Sequence, residues 1–209
     1  MKLNFSAAEK QYLLDNQDKD PATLMLQAGR YPDLPVAGLA AQIQARQKIK
    51  NKLPTWYQEP GIIYPLLVST EQSSSEVTAR YKASLVSGRL LIDLTGGLGI
   101  DSFYFAQSVK EIIYVERSSE LTQIAAHNAR LLGATNLNFV TEEAAVFLES
   151  FTGLADWIYL DPARRSQANQ KLHFLADCEP DVLQLLPQLL AKARRLLLKT
   201  SPMLDIAQA

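Results

Sequence analysis

The sequence predicts an α/β fold, a doubly wound parallel sheet, preceded by a small helical domain. From residue 71 onward, short apolar runs alternate with helical patterns, the rhythm of a parallel sheet covered on both faces. The first of those runs, LIDL at 91–94, opens into the glycine-rich turn TGGLGID. Residues 1–60 instead hold short helical patterns broken by prolines at 21, 32, 35, 54 and 60.

With 209 residues, 47% hydrophobic and 21% charged, the chain can bury a substantial core. A net charge of −1 gives no global attraction to nucleic acid, so such a partner would have to meet a local patch. The single Cys178 can form no internal disulfide, and the opening MKLNFSAAEK lacks the apolar core of a secretory signal. No apolar run approaches the roughly 20 residues that span a bilayer. A cytoplasmic location is expected.

Within the helical domain, 1–60, the clearest helix runs from about Val36 to Lys52, and the pair Trp56-Tyr57 follows the proline that ends it. No acid occurs between Asp33 and Glu59, while Arg46, Lys48, Lys50 and Lys52 cluster. Helical spacing gives them one positive sector that could touch an RNA backbone, with Trp56 and Tyr57 stacking on a base. A solvated basic helix end, with the aromatics packed onto the next domain, is the favoured reading. GIIYPLLVS then reads as a strand or extended linker over 61–70.

The larger domain, 71–209, begins with Ser73-x-x-Glu76, a capping-box spacing, and the helix that follows puts Val77, Tyr81 and Leu85 on one face before Gly88 stops it. RLLIDL is the first strand, SFYFAQ a helix and EIIYVE the second strand. A longer helix carries Leu121, Ile124, Ala125 and Leu132 on one side. LNFV and WIYL are further strands, a leucine-rich helix runs through about Ala193, and RLLLKT is the fifth strand.

In a doubly wound sheet, ligands bind beyond the carboxyl ends of the strands, where LIDLTGGLGID lies. Gly96, Gly97 and Gly99 permit close approach of a ligand to backbone and to the following helix N-terminus. No Gly-Lys dipeptide exists, which removes a Walker loop. A dinucleotide fingerprint would want glycine where Ser102 stands, and Asp93 would repel a pyrophosphate. An acid at this strand end suits a ligand carrying an amine and a sulfonium. Glu116, about 20 residues on at the end of the second strand, suits ribose hydroxyls, so the ligand is adenosyl-like. In TEEAAVFL, Glu143 is favoured over Glu142 as the acceptor for an adenine amino group. Asp101 could reach the methionine end of such a ligand or serve the first turn of its helix.

The order Asp93-x-x-Gly-Gly-x-Gly, Glu116, Glu143-Ala144 and Asp161-Pro162 resembles the class I S-adenosylmethionine-dependent methyltransferases over about residues 71–205. EQSSSEVTARYKA, DLTGGLGID, LDPARR and LKTSPMLD further resemble bacterial methyltransferase-like proteins with a THUMP-like or ferredoxin-like region near the C-terminus. The resemblance implies a Rossmann-like domain, S-adenosyl-L-methionine as cofactor, and RNA as a plausible substrate. It implies a cofactor set of Asp93, Thr95, Gly96, Gly97, Gly99, Asp101, Glu116, Arg117, Glu143 and Asp161. The catalytic set is Asp161, Pro162 and Arg164, and Arg164 with Arg165 is expected to meet a substrate phosphate or carboxylate.

WIYLDPARR departs from the Asp/Asn-Pro-Pro-aromatic site of enzymes acting on base amines, since Ala163 and Arg164 follow and no ring stacks. Asp-Pro-x-Arg is similar to RNA uracil-C5 methyltransferases, but Ser201-Pro202 stands where their cysteine nucleophile is needed, and Cys178 reads as a packed thiol. Transfer to nitrogen or oxygen without a covalent enzyme intermediate is therefore expected. His127 and His173 have no metal-ligand companions at useful spacing, so no metal is expected. The chain stops soon after RLLLKT, where resembling enzymes add a helix and hairpin, so the expectation is a domain incomplete after strand five, a fragment or an edge-paired dimer. The rival readings are an inactive RNA-binding or scaffold module and a nucleotide-dependent oxidoreductase.

Overall fold

The computed structural model describes residues 4–65, 73–164 and 178–200. The first helices are α1 (Ala7–Asn16), α2 (Pro21–Leu26), α3 (Val36–Ile49) and α4 (Pro54–Gln58). Their starts are chemically marked. Ser6 and Glu9 close a reciprocal capping box on α1, and Asp20 accepts from the amides of Ala22 and Thr23 ahead of a proline at the first position of α2. Tyr12, Leu13, Leu24, Val36, Leu39, Ala40 and Ile43 bury one another between these helices. Ile49, Leu53 and Trp56 instead join the core beneath the sheet, together with Ile62, Tyr64, Phe103 and Tyr159.

Residues 61–65 are built into this packing. Asn128 accepts from the Ile63 amide at 2.9 Å and donates to the Ile63 carbonyl at 2.9 Å. Gln42 does the same for Tyr64, at 3.0 and 2.7 Å. Two side-chain amides thus satisfy the backbone of an extended segment that lies in no sheet.

Helix α5 (Glu76–Ser84) departs from expectation at both its start and its face. Its N-cap is Ser75, whose hydroxyl accepts from the Thr78 amide, and not Ser73. Glu76 turns inward to accept from the Thr55 amide and hydroxyl at 3.0 and 2.7 Å and from Arg80 at 2.8 Å. Ala79, Lys82 and Ala83 form the buried side with Glu76, leaving Val77 79%, Tyr81 65% and Leu85 45% exposed. Small residues let α5 lie close to its neighbour, and distant polar partners make burial of Glu76 and Lys82 tolerable.

The sheet comprises β1 (Gly88–Asp93), β2 (Val109–Glu116), β3 (Leu137–Thr141), β4 (Trp157–Leu160) and β7 (Leu196–Leu198), ordered β3-β2-β1-β4-β7, with every pairing parallel. Helices α6 (Ile100–Phe105), α7 (Ser119–Leu131), α8 (Ala144–Ser150) and α9 (Val182–Lys192) connect the strands. Leu91 and Ile112 face the core shared with α5 and α6, while Ile92, Val115 and Ile158 face α8 and α9. The chain winds to opposite sides from β1, so the crevice between the ends of β1 and β4 is the switch point where this architecture holds ligands. A short antiparallel ribbon, β5 (Ala163–Arg164) with β6 (Cys178–Glu179), stands apart from the sheet and was not foreseen from the sequence.

Candidate active site

Strand β1 delivers Asp93 to the crevice, and the turn after it is held from below by a ring. A Cβ on Gly96 would lie 2.2 Å from Tyr114 Cε2, so the close packing of turn on ring requires glycine there. The Tyr114 hydroxyl donates to the Gly97 carbonyl at 2.6 Å, fixing the height of the turn. Gly97 and Gly99 have φ of +52° and +76°, the left-handed conformations that swing the chain from strand into α6.

Asp93 is wholly buried, and its carboxylate braces the turn. It accepts from the Thr95 amide at 3.1 Å and from the Ser102 hydroxyl at 2.6 Å. Burial raises its pKa to about 7 against the pull of those hydrogen bonds. Thr95 also accepts from the Asp161 amide at 2.7 Å, so one hydroxyl ties the end of β1 to the end of β4.

Glu116 ends β2 beside the turn. One carboxylate oxygen accepts from the Gly97 amide at 3.0 Å and the other from the Ser118 amide at 2.9 Å. Those amides fix the carboxylate, and each oxygen keeps a lone pair for a ligand hydroxyl. The Glu142 amide donates to the Glu116 carbonyl at 3.1 Å, bringing the loop after β3 alongside, where Glu143 is the exposed N-cap of α8. Arg117 is ion-paired with Glu179, linking this edge to the β5–β6 ribbon.

Asp101, in the first turn of α6, is the centre of a polar cluster that the sequence did not reveal. One of its oxygens accepts from Lys82 Nζ at 2.5 Å, the Tyr159 hydroxyl at 2.8 Å and the Ser74 hydroxyl at 2.9 Å. Its other oxygen is buried without a hydrogen-bond partner among the described residues. Desolvation pushes the Lys82 ammonium down from its ordinary pKa, opposed by Asp101, and burial with the Asp101 charge pushes the Tyr159 phenol far up.

Beyond β4, Asp161 is half-buried and bonds Lys199 Nζ at 2.5 Å. Pro162 follows it into β5. The side chain of Arg164 lies outside the described residues, as do Arg165, His173, Ser201 and Pro202. Lys82, Ser102, Tyr159 and Lys199 were missed from the sequence, although Lys199 ends β7 just as Asp161 ends β4, a parallel that alignment of the strand ends would have exposed.

The positive sector weighed at the end of α3, the less favoured reading, loses Arg46 from the surface. Arg46 is buried, and its guanidinium donates to the carbonyls of Glu59, at 2.9 Å, and Tyr57. Lys50 pairs with Asp18 at 2.9 Å. Trp56 is buried edge-on against Phe103, with ring centroids 5.9 Å apart, and so cannot stack on a base. Trp56 packs as in the favoured reading, while Arg46 is buried and not solvated. His127 bonds the Gly61 carbonyl through Nε2 at 3.0 Å. Among the described residues no group of three or more His, Cys, Asp or Glu side chains is arranged to hold a metal ion, and no helix is long and apolar enough to cross a membrane.

No protein-family model matches the chain. A crystal structure of a presumptive methyltransferase from Porphyromonas gingivalis W83 superposes with a TM-score of 0.82 at 34% identity, covering 96% of this chain and 50% of that one. An uncharacterized RNA methyltransferase of Thermotoga maritima is 27% identical over 116 residues, 53% of this chain and 26% of the relative. Another, from Thermosynechococcus vestitus, is 33% identical over 136 residues, 61% of this chain and 30% of the relative. The chain thus spans about half the length of the P. gingivalis protein and under a third of these curated relatives. With a parallel β3-β2-β1-β4-β7 sheet flanked by helices, the chain has the Rossmann-like fold of the class I methyltransferases and is similar to these proteins.

Proposed function

We propose that this chain is the cofactor-binding and methyl-transferring part of an S-adenosylmethionine-dependent RNA methyltransferase. The observation that carries the reading is the Glu116 carboxylate, held over the glycine turn by the amides of Gly97 and Ser118 with a lone pair free on each oxygen. That is the acceptor geometry a ribose diol needs. The backbone of Thr95, Gly96, Gly97 and Gly99 receives the amino-acid part, and Asp93 shapes that backbone and supplies a field suited to a cationic ligand. Asp101 supports the same end from α6. Glu143, beside Glu116, accepts from the adenine, with Arg117 flanking the ribose edge.

Bound in this crevice, S-adenosyl-L-methionine supplies an electrophilic methyl group on a positively charged sulfur. Asp161 and Pro162 hold the acceptor at the end of β4, and Arg164 with Arg165 engages an anionic part of the substrate. Orientation and exclusion of water carry the catalysis, with no covalent enzyme intermediate. RNA is favoured as the substrate because the curated relatives bear the name of RNA methyltransferases.

Incubating the full chain with labelled S-adenosyl-L-methionine and separate RNA, protein and small-molecule pools tests the reading. Label is expected in RNA. Label confined to protein or small molecules overturns the substrate assignment, and no labelling of any pool overturns the activity.

A further inference from the structure

We propose that Lys199 is a catalytic residue that selects the acceptor: one that gives up a proton as it is methylated, a hydroxyl or a ring N–H, over an exocyclic amine. This rests on the methyl-transfer reading above.

Strands β4 and β7 run side by side, with Leu160 paired to Leu198, so Asp161 and Lys199 leave the sheet together at the switch-point edge. The Lys199 amide donates to the Leu160 carbonyl at 2.9 Å, and the Asp161 amide is fixed to Thr95 at 2.7 Å. Both backbones are therefore tied down, one to β4 and one to the glycine turn. The side chains meet at 2.5 Å and are 31% and 32% exposed, open to a substrate. The Lys82–Asp101 pair, at 7% and 11%, is closed to one. Among the described residues only one Asp161 oxygen is bonded, to Lys199, leaving the other to receive a proton.

The pair distinguishes acceptors by the charge each develops. An exocyclic amine becomes cationic as its nitrogen takes the methyl group, and a fixed ammonium beside it opposes that charge. An acceptor losing a proton develops negative charge, which the same ammonium stabilises. For a hydroxyl, the O–H bond breaks and the proton passes to the free oxygen of Asp161. The electron pair left on the acceptor oxygen forms the new bond to the methyl carbon. The carbon–sulfur bond breaks with its electrons staying on sulfur, which becomes a neutral thioether. One positive charge on sulfur and one negative charge on Asp161 disappear together, and Lys199 keeps its proton throughout.

The test compares the wild-type full chain with Lys199→Ala and Lys199→Arg. Each is given labelled S-adenosyl-L-methionine and total bacterial RNA from a strain lacking the gene, and the RNA is digested to nucleosides so that mass spectrometry locates the methyl group. Calorimetric titration with S-adenosylhomocysteine is run on every variant. The methyl group is expected on a hydroxyl oxygen or a ring nitrogen. Lys199→Ala should lower kcat by about 100-fold with KM for RNA within about threefold, S-adenosylhomocysteine affinity unchanged, and partial recovery in Lys199→Arg. A methyl group on an exocyclic amine, or kcat of Lys199→Ala within about threefold of wild type, overturns the assignment while methyl transfer stands. Loss of S-adenosylhomocysteine affinity in both variants makes Lys199 a structural residue and overturns it too. No methyl group in RNA from the wild-type chain overturns this assignment together with the proposed function.

Discussion

Lys82 Nζ sits 2.5 Å from Asp101 Oδ2 inside the core, joining α5 to the first turn of α6 just past the glycine turn. The Tyr159 hydroxyl bonds both groups at 2.8 Å, so the pair also reaches the end of β4. Removing one partner strands the other as an uncompensated buried charge. Lys82→Met is expected to cost about 3–5 kcal/mol in urea unfolding. Combining it with Asp101→Leu should recover part of that loss, a coupling of about 1–3 kcal/mol. Simple additivity of the two changes would show that they do not act as a pair.

Gly96 is defined by what surrounds it. A methyl group there would sit 2.5 Å or less from three Tyr114 ring atoms, and that ring also holds Gly97 in place. Gly96→Ala should cost about 1–3 kcal/mol and weaken S-adenosylhomocysteine binding at least about tenfold. Gly38, exposed in α3 with nothing within 4 Å of an added Cβ, is the control. Gly38→Ala is expected to raise stability by about 0.5–1 kcal/mol. Equal effects at the two sites in thermal melts would remove the steric account of the turn.

Asn128 is completely buried in α7, and its amide serves both backbone groups of Ile63. Asn128→Leu leaves a buried N–H and C=O without partners, at a cost of roughly 2–4 kcal/mol for two such groups. Hydrogen exchange at the Ile63 amide should accelerate more than exchange at amides in β1. Unchanged protection of Ile63 would mean that the segment is held by packing alone.

Asp93 gives stability a specific pH dependence. Its folded pKa, about 7, lies above the ordinary 3.8, so the folded chain holds this proton more tightly than the unfolded one. The stabilising contribution is complete below about pH 4 and is lost as pH rises to about 7. The shift corresponds to something on the order of 4 kcal/mol. Glu76 and Asp156 are held below their ordinary values and lose their contribution as pH falls through those depressed values. In Asp93→Asn the side chain stays neutral throughout. The stability of that variant relative to wild type should therefore improve between pH 4 and pH 7 in chemical unfolding, and a constant difference across the range contradicts the raised pKa.

Much of the sheet and of its switch-point edge was legible because both are written locally. Strands appear as apolar runs, and Asp93, Glu116 and Asp161 follow the runs that place them. The other features depend on contacts made far along the chain. Helix α5 buries Lys82 because Asp101 and Tyr159 meet it, so counting apolar residues pointed to Val77, Tyr81 and Leu85, the exposed face. Arg46 looked like part of a basic surface because a sequence does not show that the carbonyls of Tyr57 and Glu59 turn back over α3. Ser102 carried a usable signal: a hydroxyl in place of the dinucleotide glycine, one helical step from Asp101, bonds Asp93 at 2.6 Å.

The most direct test of the account is calorimetric titration of the full chain with S-adenosylhomocysteine and, separately, with NAD, in the wild type and in Glu116→Ala. The wild type should bind S-adenosylhomocysteine and not NAD, and Glu116→Ala should weaken that binding by about tenfold or more, as loss of hydrogen bonds to a charged acceptor requires. Binding of NAD alone, or S-adenosylhomocysteine affinity unchanged by Glu116→Ala, would contradict it.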